Sequence, residues 1–402
     1  MSAQAPNPKS AAGPALAGVQ FFFTLAWTVY AVQLPGLLAT AGIAASWLTL
    51  LLMADQLVFA AMDVAFGVMA DRMAEGYRRL ARLLVVLSSV SAVAFIILPL
   101  VAGVAPGALL AVLVIWVVSA SVVRAPTLIL LGKRAKAAQQ ADLVVWYASG
   151  MALASALAPF VALWLKGGDP RLSFIISALT LLVAVMVLLR VVGKEAPVAE
   201  DMPPRPASFA ALLPLLLALG LAGLGFQLHA FVNASPLYQL HAGKEQLPWL
   251  MPLLWLGFFA MLAGVGPLFK RIGALPVATG GILLTAATSY SAGAADNLGM
   301  LILLQLICGV GWAMAFAGLM ESAATAGLRG SEGLFMGSFF AVTALAVLLR
   351  IAFASHWLAA WKSSQFVLPA ALLLAAGLIA AAQACFPRGG AGRNRGRGRV
   401  SP

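Results

Sequence analysis

Long, uninterrupted apolar runs fill most of this 402-residue sequence, and they constrain its fold more than any other feature. Each run reaches about 20 residues, the length that an α-helix needs to cross the hydrocarbon core of a bilayer. Charged residues make up only 9% of the chain, whereas a soluble domain carries about a quarter. The runs are continuous rather than alternating, which disfavours a membrane barrel of tilted strands. The sequence therefore predicts an all-α integral membrane protein.

The apolar runs predict twelve transmembrane helices. They lie over residues 15–40, 46–70, 80–102, 107–131, 142–164, 171–192, 209–236, 247–269, 273–294, 298–324, 333–357 and 366–386. The segment 193–208 is Pro-rich and charged, and it is predicted to link two six-helix bundles, 15–192 and 209–386. Short tails, 1–14 and 387–402, flank the two bundles.

The net charge of +12 is interpreted as a sign of topology rather than of nucleic-acid binding. Most lysines and arginines fall in alternate loops and in the two tails, and basic loops stay on the cytoplasmic side of a membrane. We therefore expect a multi-pass protein of the cell (inner) membrane with both termini in the cytoplasm. The arginine-rich tail is expected to lie against anionic lipid headgroups, and no nucleic-acid partner is expected.

The loop between the second and third predicted helices has an ordered pattern of glycines and charges. Its members are Gly67, Asp71, Arg72, Gly76, Arg78 and Arg79. Because the loop is short, the two helices must be antiparallel neighbours. A glycine such as Gly67 also lets another helix approach closely within a membrane.

A degenerate copy of this loop occurs 199 residues later, close to half the length of the chain. The segment from Gly266 to Gly273 keeps the pattern G-x-x-x-x-R and has Lys270 at the position of Asp71. Such a repeat predicts two parallel halves related by an axis along the membrane normal, one of the two repeat plans of secondary transporters.

The pattern G-x-x-x-D-R-x-x-x-G-x-R-R, placed between the second and third of twelve helices, resembles motif A of the major facilitator superfamily. The resemblance implies the major facilitator fold, two pseudo-twofold-related six-helix bundles that transport solutes by rocker-switch alternating access. It also implies that Asp71 helps to close the cytoplasmic side by capping the eleventh helix, near Ser331 to Gly333.

Asp63, four residues before Gly67, gives a weaker similarity to the cation–sugar symporter branch of that superfamily. In that branch, the acidic residue aligned with Asp63 takes part in cation binding. This sequence departs from the branch at Gln56 and Phe59, where an arginine and a further aspartate are usual.

Ionisable residues inside the predicted helices are candidates for coupling, because each charge costs about 2.5–3.5 kcal/mol at the centre of a bilayer. The candidates are Asp55, Asp63, Arg124, Glu321 and Arg350. Asp63 and Arg124 lie at similar predicted depth in one half, and we predict that they form an ion pair. The pair is either structural or a proton or cation site that switches during transport. Asp55 is either a hydrated, passive group or a protonatable coupling site.

The two charges of the second half have alternative explanations as well. Glu321 is expected to form a structural latch with a basic residue near the cytoplasmic end of its helix. The candidates are Arg329, Lys270 and Arg271. Arg350 either extends to the membrane interface, meets an acid of the other half, or binds a substrate anion.

Polar side chains form stripes on the first and seventh predicted helices, which line the cavity in the family that this chain resembles. The pocket candidates, including one residue of the second helix, are Thr24, Thr28, Tyr30, Gln33, Gln56, Gln227, His229 and Asn233. The alternative for these residues is interhelical hydrogen bonding, worth about 0.6 kcal/mol per bond. His229 is also a candidate proton carrier, because an unperturbed imidazole titrates at about pH 6.5.

The function predicted from these features is secondary active transport of a small organic solute, coupled to a proton or cation. The alternative is a non-transporting assembly or scaffolding protein that has kept the fold. No nucleotide-binding, nucleophile or zinc motif is present, so an enzyme, a cofactor and a metal site are not expected. Cys308 and Cys385 lie far apart in apolar runs, which argues against a disulfide. The expected partners are the solute, the coupling ion and membrane lipids, and the protein is expected to be a monomer.

Overall fold

The computed structural model describes residues 11–72, 77–124, 137–194, 209–327 and 330–385. Within these ranges, twelve helices form a bundle of two halves. The first half contains α1 (Ala12–Thr40), α2 (Trp47–Arg72), α3 (Tyr77–Val101), α4 (Pro106–Ala120), α5 (Ala137–Trp164) and α6 (Pro170–Lys194). The second half contains α7 (Phe209–Leu228), α8 (Pro252–Ile272), α9 (Ala274–Ala292), α10 (Leu298–Gly327), α11 (Glu332–Ala352) and α12 (Val367–Cys385).

Short helical turns extend or connect these helices. The 3₁₀ turns are Ser121–Val123, Lys244–Gln246 and Lys362–Ser364; the π-helical turns are His229–Asn233 and Phe353–Trp357; the short α-helices are Ala234–Gln239 and Leu247–Leu250. Three of the predicted spans therefore differ from simple helices. The fourth changes to a 3₁₀ turn after Ala120, where Ser119 and Ser121 donate hydrogen bonds to backbone carbonyls one turn earlier. The seventh and the eleventh each contain a π-helical turn, and none of these changes has a signal in the apolar pattern.

Eleven helices in the described part of the chain are long and apolar enough to cross a membrane. The twelfth bundle helix, α9, is less apolar because it carries threonines and serines among its buried residues. Thr285 and Thr288 satisfy their hydroxyl groups by donating to carbonyls of α9 itself. Large apolar side chains are exposed around the outside of the bundle, Leu217 and Leu378 among them, which suits a surface in contact with lipid.

Each half is held by its own helix pairs, and three pairs join the halves. In the first half α1 packs against α5 and α6, and α3 packs against α4 and α6. In the second half α10 packs against α8 and α9, and α12 packs against α7 and α9. Across the halves, α2 packs against α11, and α5 packs against α8 and α10. The end of the bundle at which α2 terminates is called the Asp71 end below, and the opposite end is called the far end.

Candidate functional site

Asp71 joins the two halves by capping a helix of the other half. Its Oδ1 accepts a hydrogen bond from the backbone N–H of Gly333 at 2.7 Å, and its Oδ2 accepts one from the N–H of Leu334 at 2.8 Å. The first backbone N–H groups of a helix lack intrahelical partners and attract negative charge. Ser331, which precedes α11, makes no side-chain cap of its own. Asp71 therefore supplies the cap that the sequence of α11 lacks.

The α2–α11 contact at the Asp71 end is a contact between backbones. A Cβ atom at Gly67 would overlap the carbonyl oxygen of Gly333, and one at Gly333 would overlap the carbonyl oxygen of Gly67. One turn further along, a Cβ at Gly337 would overlap the carbonyl oxygen of Asp63. Three glycines thus allow α2 and α11 to meet without intervening side chains, as small residues do between membrane helices.

The remaining residues of the charged loop are only partly described. Arg72 ends α2 and Arg79 lies in the first turn of α3, and both side chains are exposed. Arg78 belongs to α3, but its side chain lies outside the described part of the structure, as does Gly76. Their predicted part in gating stays a prediction.

Asp63 and Arg124 lie together in the first half. The Nη1 atom of Arg124 is 3.4 Å from Oδ2 of Asp63, which is completely buried, whereas the Arg124 side chain is 14% exposed. The Asp63 carboxylate has no hydrogen-bond donor in the described residues. Within the described residues, only the positive charge of Arg124 compensates this carboxylate, whereas most buried polar groups have a hydrogen-bond partner.

Arg124 also contacts the second half. Its guanidinium lies over the rings of Phe59 and Phe340, at 5.1 Å and 5.4 Å from the ring centroids. Its Nη2 donates a weak hydrogen bond of 3.4 Å to the hydroxyl of Thr343 on α11. One cation therefore connects the buried acid of α2 with a helix of the opposite half.

A central cavity of about 240 Å³ lies between the halves. Its polar lining consists of Gln20, Thr24, Gln56, Arg124, Ser155, Gln227 and Thr343. Its aromatic lining consists of Phe23, Trp27, Phe59, Tyr147, Phe226, Phe231, Trp255, Trp312, Phe316 and Phe340. Arg124 is the only charged side chain among the lining residues that the structure describes. The cavity therefore offers a predominantly aromatic surface with a few neutral hydrogen-bonding groups.

The cavity is closed at the Asp71 end. Its lining residues on α2 and α11 all lie on the far-end side of the backbone contact between Asp63 and Gly337. The two halves also touch at the far end, where the ring of Phe160 on α5 lies 4.9 Å from that of Trp249, which precedes α8. The α2–α11 contact thus separates the cavity from one end of the bundle.

Only part of the predicted pocket lines this cavity. Thr24, Gln56 and Gln227 do so, together with Gln20, which the prediction omitted. Five predicted pocket residues lie elsewhere and bind other protein groups; they are Thr28, Tyr30, Gln33, His229 and Asn233. Thr28 donates to the carbonyl of Thr24 within α1. These five residues make internal hydrogen bonds and do not line this cavity, so their part in a pocket stays a prediction.

Three of the other four residues bind groups on neighbouring segments. Gln33 lies 3.5 Å from the carbonyl of Leu165, and Asn233 donates to the carbonyl of Gln365 at 2.7 Å. A ring nitrogen of His229 lies 3.1 Å from Oε1 of Gln305. These bonds tie α1 to the end of α5, and α7 to α10 and to the start of α12.

The fourth residue, Tyr30, donates a hydrogen bond of 2.5 Å to the carboxylate of Asp55. Both side chains are buried within the first half. Asp55 therefore does not face a hydrated cavity, and that alternative is corrected by the structure. The bond fastens α1 to α2 on the far-end side of Asp63.

Glu321 does not form the expected latch with Lys270 or Arg271. It is buried near the end of α10; Oε1 accepts a hydrogen bond of 3.3 Å from Thr325, and Oε2 has no partner in the described residues. The third candidate partner, Arg329, lies outside the described residues.

Arg350 lies near the far end of α11 and has no carboxylate partner among the described residues. Its guanidinium lies over the ring of Phe231, at 5.0 Å from the centroid, and its buried Nε atom has no hydrogen-bond partner within the described ranges. The prediction that it meets an acid of the other half is not supported by the described residues.

Sequence reasoning missed the aromatic lining supplied by the second half. Trp312 and Phe316 are separated by one helical turn of α10, and Phe226 stacks on Trp312 with ring centroids 4.1 Å apart. In an apolar span such residues look like ordinary membrane-facing or core positions. The recurrence of large aromatic residues at i and i+4 was the signal that could have identified them.

Comparisons with known proteins agree with this architecture. The model of the Major Facilitator Superfamily matches residues 16–349. A search of curated protein sequences finds no significant match. The human organic anion transporter MFSD10 has a similar structure, with a TM-score of 0.75 and 18% identity, covering 93% of this chain and 100% of that one.

Two further solved structures share the fold. A bacterial homologue of the iron transporter ferroportin, in an outward-facing state, has a TM-score of 0.74 and 14% identity, covering 93% of this chain and 100% of that one. The E. coli fucose:proton symporter has a TM-score of 0.66 and 10% identity, covering 92% of this chain and 98% of that one. At these identities the likeness concerns the fold.

Proposed function

Because this chain belongs to the Major Facilitator Superfamily, we propose that it carries a small organic solute by alternating access of its two six-helix halves. The family and the similar structures indicate a multi-pass membrane protein and a transporter rather than a catalytic enzyme. The finer proposal rests on one observation, a cavity lined by both halves and closed at one end by α2 and α11.

Asp71 is the group that controls the closed end in this mechanism. Its two hydrogen bonds to the N-terminal turn of α11 are charge-assisted, and each such bond contributes about 1.5–3 kcal/mol. When the halves rock, the glycine contact between α2 and α11 separates and Asp71 releases Gly333 and Leu334. The Asp71 end then opens and the cavity closes toward the far end. We place the Asp71 end in the cytoplasm, because the basic residues of the loops concentrate there.

Asp63 and Arg124 are the proposed coupling pair. Arg124 lines the cavity and touches Thr343 of the second half, while Asp63 lies behind it and has no other partner among the described residues. A proton on Asp63 would remove the charge that holds Arg124 in place. Arg124 would then be available to the solute or to α11, so that proton binding and the movement of the halves become linked.

The test is uptake into proteoliposomes that contain the purified protein. Labelled sugars, organic acids and amphipathic drugs are offered while a pH gradient is imposed in either direction. We expect gradient-driven accumulation of at least one solute, loss of that accumulation with a protonophore, and loss of uptake in Asp71→Ala. The control is Asp169→Asn, which neutralises an exposed aspartate at the far end and keeps the side-chain oxygen that accepts from the N–H of Arg171. Absence of protein-dependent accumulation across the panel, or full uptake by Asp71→Ala at equal expression, would contradict the proposal.

A further inference from the structure

The charge balance of the cavity restricts the solute that it can hold. The described lining contains no acidic side chain, and its single cation, Arg124, is already balanced by Asp63. The aromatic walls suit an apolar body, and the neutral polar groups can orient it. What this lining lacks is an unbalanced charge that would select a charged solute.

Arg350 supplies that charge. It lies on the same face of α11 as the residues of this helix that line the cavity. Thr343, Ala346 and Val347 line the cavity, and Arg350 follows them at i+7, i+4 and i+3, positions that share one helix face. Seven residues correspond to about 10 Å along an α-helix. Arg350 therefore lies about 10 Å farther toward the far end than Thr343, the contact of Arg124.

The partner of Arg350 is itself part of the cavity wall. Phe231 lines the cavity and lies beneath the guanidinium at 5.0 Å. In the described part of the chain, the buried Nε atom of Arg350 has no hydrogen-bond partner and no carboxylate pairs with the guanidinium. A guanidinium in a low-dielectric site without a counter-charge is costly, so the site favours an anion from outside the chain.

Both helices at this site depart from regular α-helical geometry. Phe231 belongs to the π-helical turn His229–Asn233 that follows α7, and the π-helical turn Phe353–Trp357 begins three residues after Arg350. Single π-helical turns are rare and occur frequently at functional sites. Two such turns flank a cation that has no carboxylate partner in the described part of the chain, which independently indicates a functional site.

We propose that the solute is an organic anion with an apolar, aromatic body, and that Arg350 with Phe231 receives its negative group at the far end of the cavity. The proposal rests on the proposed transport function and names its substrate class. The planar guanidinium binds a carboxylate or sulfonate through paired N–H donors. From Arg350 the anion moves along the face of Thr343 to Arg124, where it competes with Asp63.

The test measures binding to the purified full-length protein by thermal unfolding. The probes are phenylacetate, 4-phenylbutyrate and 2-naphthoate, each paired with its neutral carboxamide. We expect at least one carboxylate to raise the melting temperature, whereas its carboxamide does not. Arg350→Gln should weaken that binding about tenfold or more, because one charged contact is lost. Arg350→Lys should retain part of it, and Arg171→Gln, an exposed arginine at the same end of the bundle, should leave it unchanged.

Three results would overturn the proposal: no carboxylate binds, the carboxamides bind equally well, or Arg350→Gln binds like the unaltered protein. Uptake assays separate this proposal from the transport function. Carboxylate binding that needs Arg350, without flux in proteoliposomes, would contradict transport and leave the anion site standing. Flux of neutral solutes that Arg350→Gln does not change would contradict the anion site and leave transport standing.

Discussion

At the scale of single residues, Asp63 and Arg124 show what the sequence could predict and what it could not. Charges are rare in the apolar runs, so two of them at similar depth in two helices of the same half predicted an ion pair, and the structure places them 3.4 Å apart. The contacts of Arg124 with Phe340 and Thr343 were not predictable, because they depend on how the second half docks.

Removing one partner of this pair should be more damaging than removing both. Arg124→Gln leaves a completely buried carboxylate without a counter-charge, and breaking a buried pair costs about 3–5 kcal/mol. The double variant Asp63→Asn with Arg124→Gln removes that isolated charge, so we expect it to melt at a higher temperature than Arg124→Gln alone. Thermal unfolding of the four proteins of this cycle gives the coupling energy. Strictly additive losses would show that the pair does not interact, and Asp169→Asn serves as the control for a neutralised exposed charge.

At the scale of helices, the number and direction of the elements followed from the apolar runs, but the orientation of each helix did not. Helical periodicity places residues on a common face, yet it does not say whether that face meets the cavity or a neighbouring helix. Thr24 and Thr28 illustrate this limit, since they are one turn apart and only Thr24 lines the cavity. Tyr30 and His229 were assigned to the pocket for the same reason and instead bind Asp55 and Gln305.

The repeat provides a matched pair of glycines for testing the α2–α11 contact. Gly67→Ala places a methyl group against the backbone of α11, whereas its counterpart Gly266 in α8 has open space beside it. Overpacking costs about 1–3 kcal/mol, so we expect Gly67→Ala to lower the melting temperature and reduce uptake, and Gly266→Ala to do neither. Equal effects of the two substitutions would mean that the close approach of α2 and α11 has no special importance.

At the scale of the whole molecule, the family and the duplicated bundle were predictable because a short loop motif and its copy occur at matching places in the two halves. The identity of the cavity wall was less predictable, since α1, α2, α5, α7, α8, α10 and α11 all border it, together with Arg124 after the 3₁₀ turn Ser121–Val123. A wall assembled from so many helices depends on the packing of two halves that are far apart in sequence. The asymmetry between Asp71 and Lys270 nevertheless indicated that the closing contact belongs to one half only.

The central claim, that the two halves alternate around the cavity with Asp71 holding one end closed, is tested most directly by distances at both ends. Spin-labelled cysteines are introduced in pairs, either at Arg190 and Ile272 at the Asp71 end or at Thr40 and Leu240 at the far end. All four positions are exposed. Cys308 and Cys385 are first replaced by alanine. In lipid nanodiscs, we expect Asp71→Ala to lengthen the Arg190–Ile272 distance and shorten the Thr40–Leu240 distance, because the cap that holds α2 against α11 is lost. Unchanged distances, or changes in the same direction at both ends, would contradict the account.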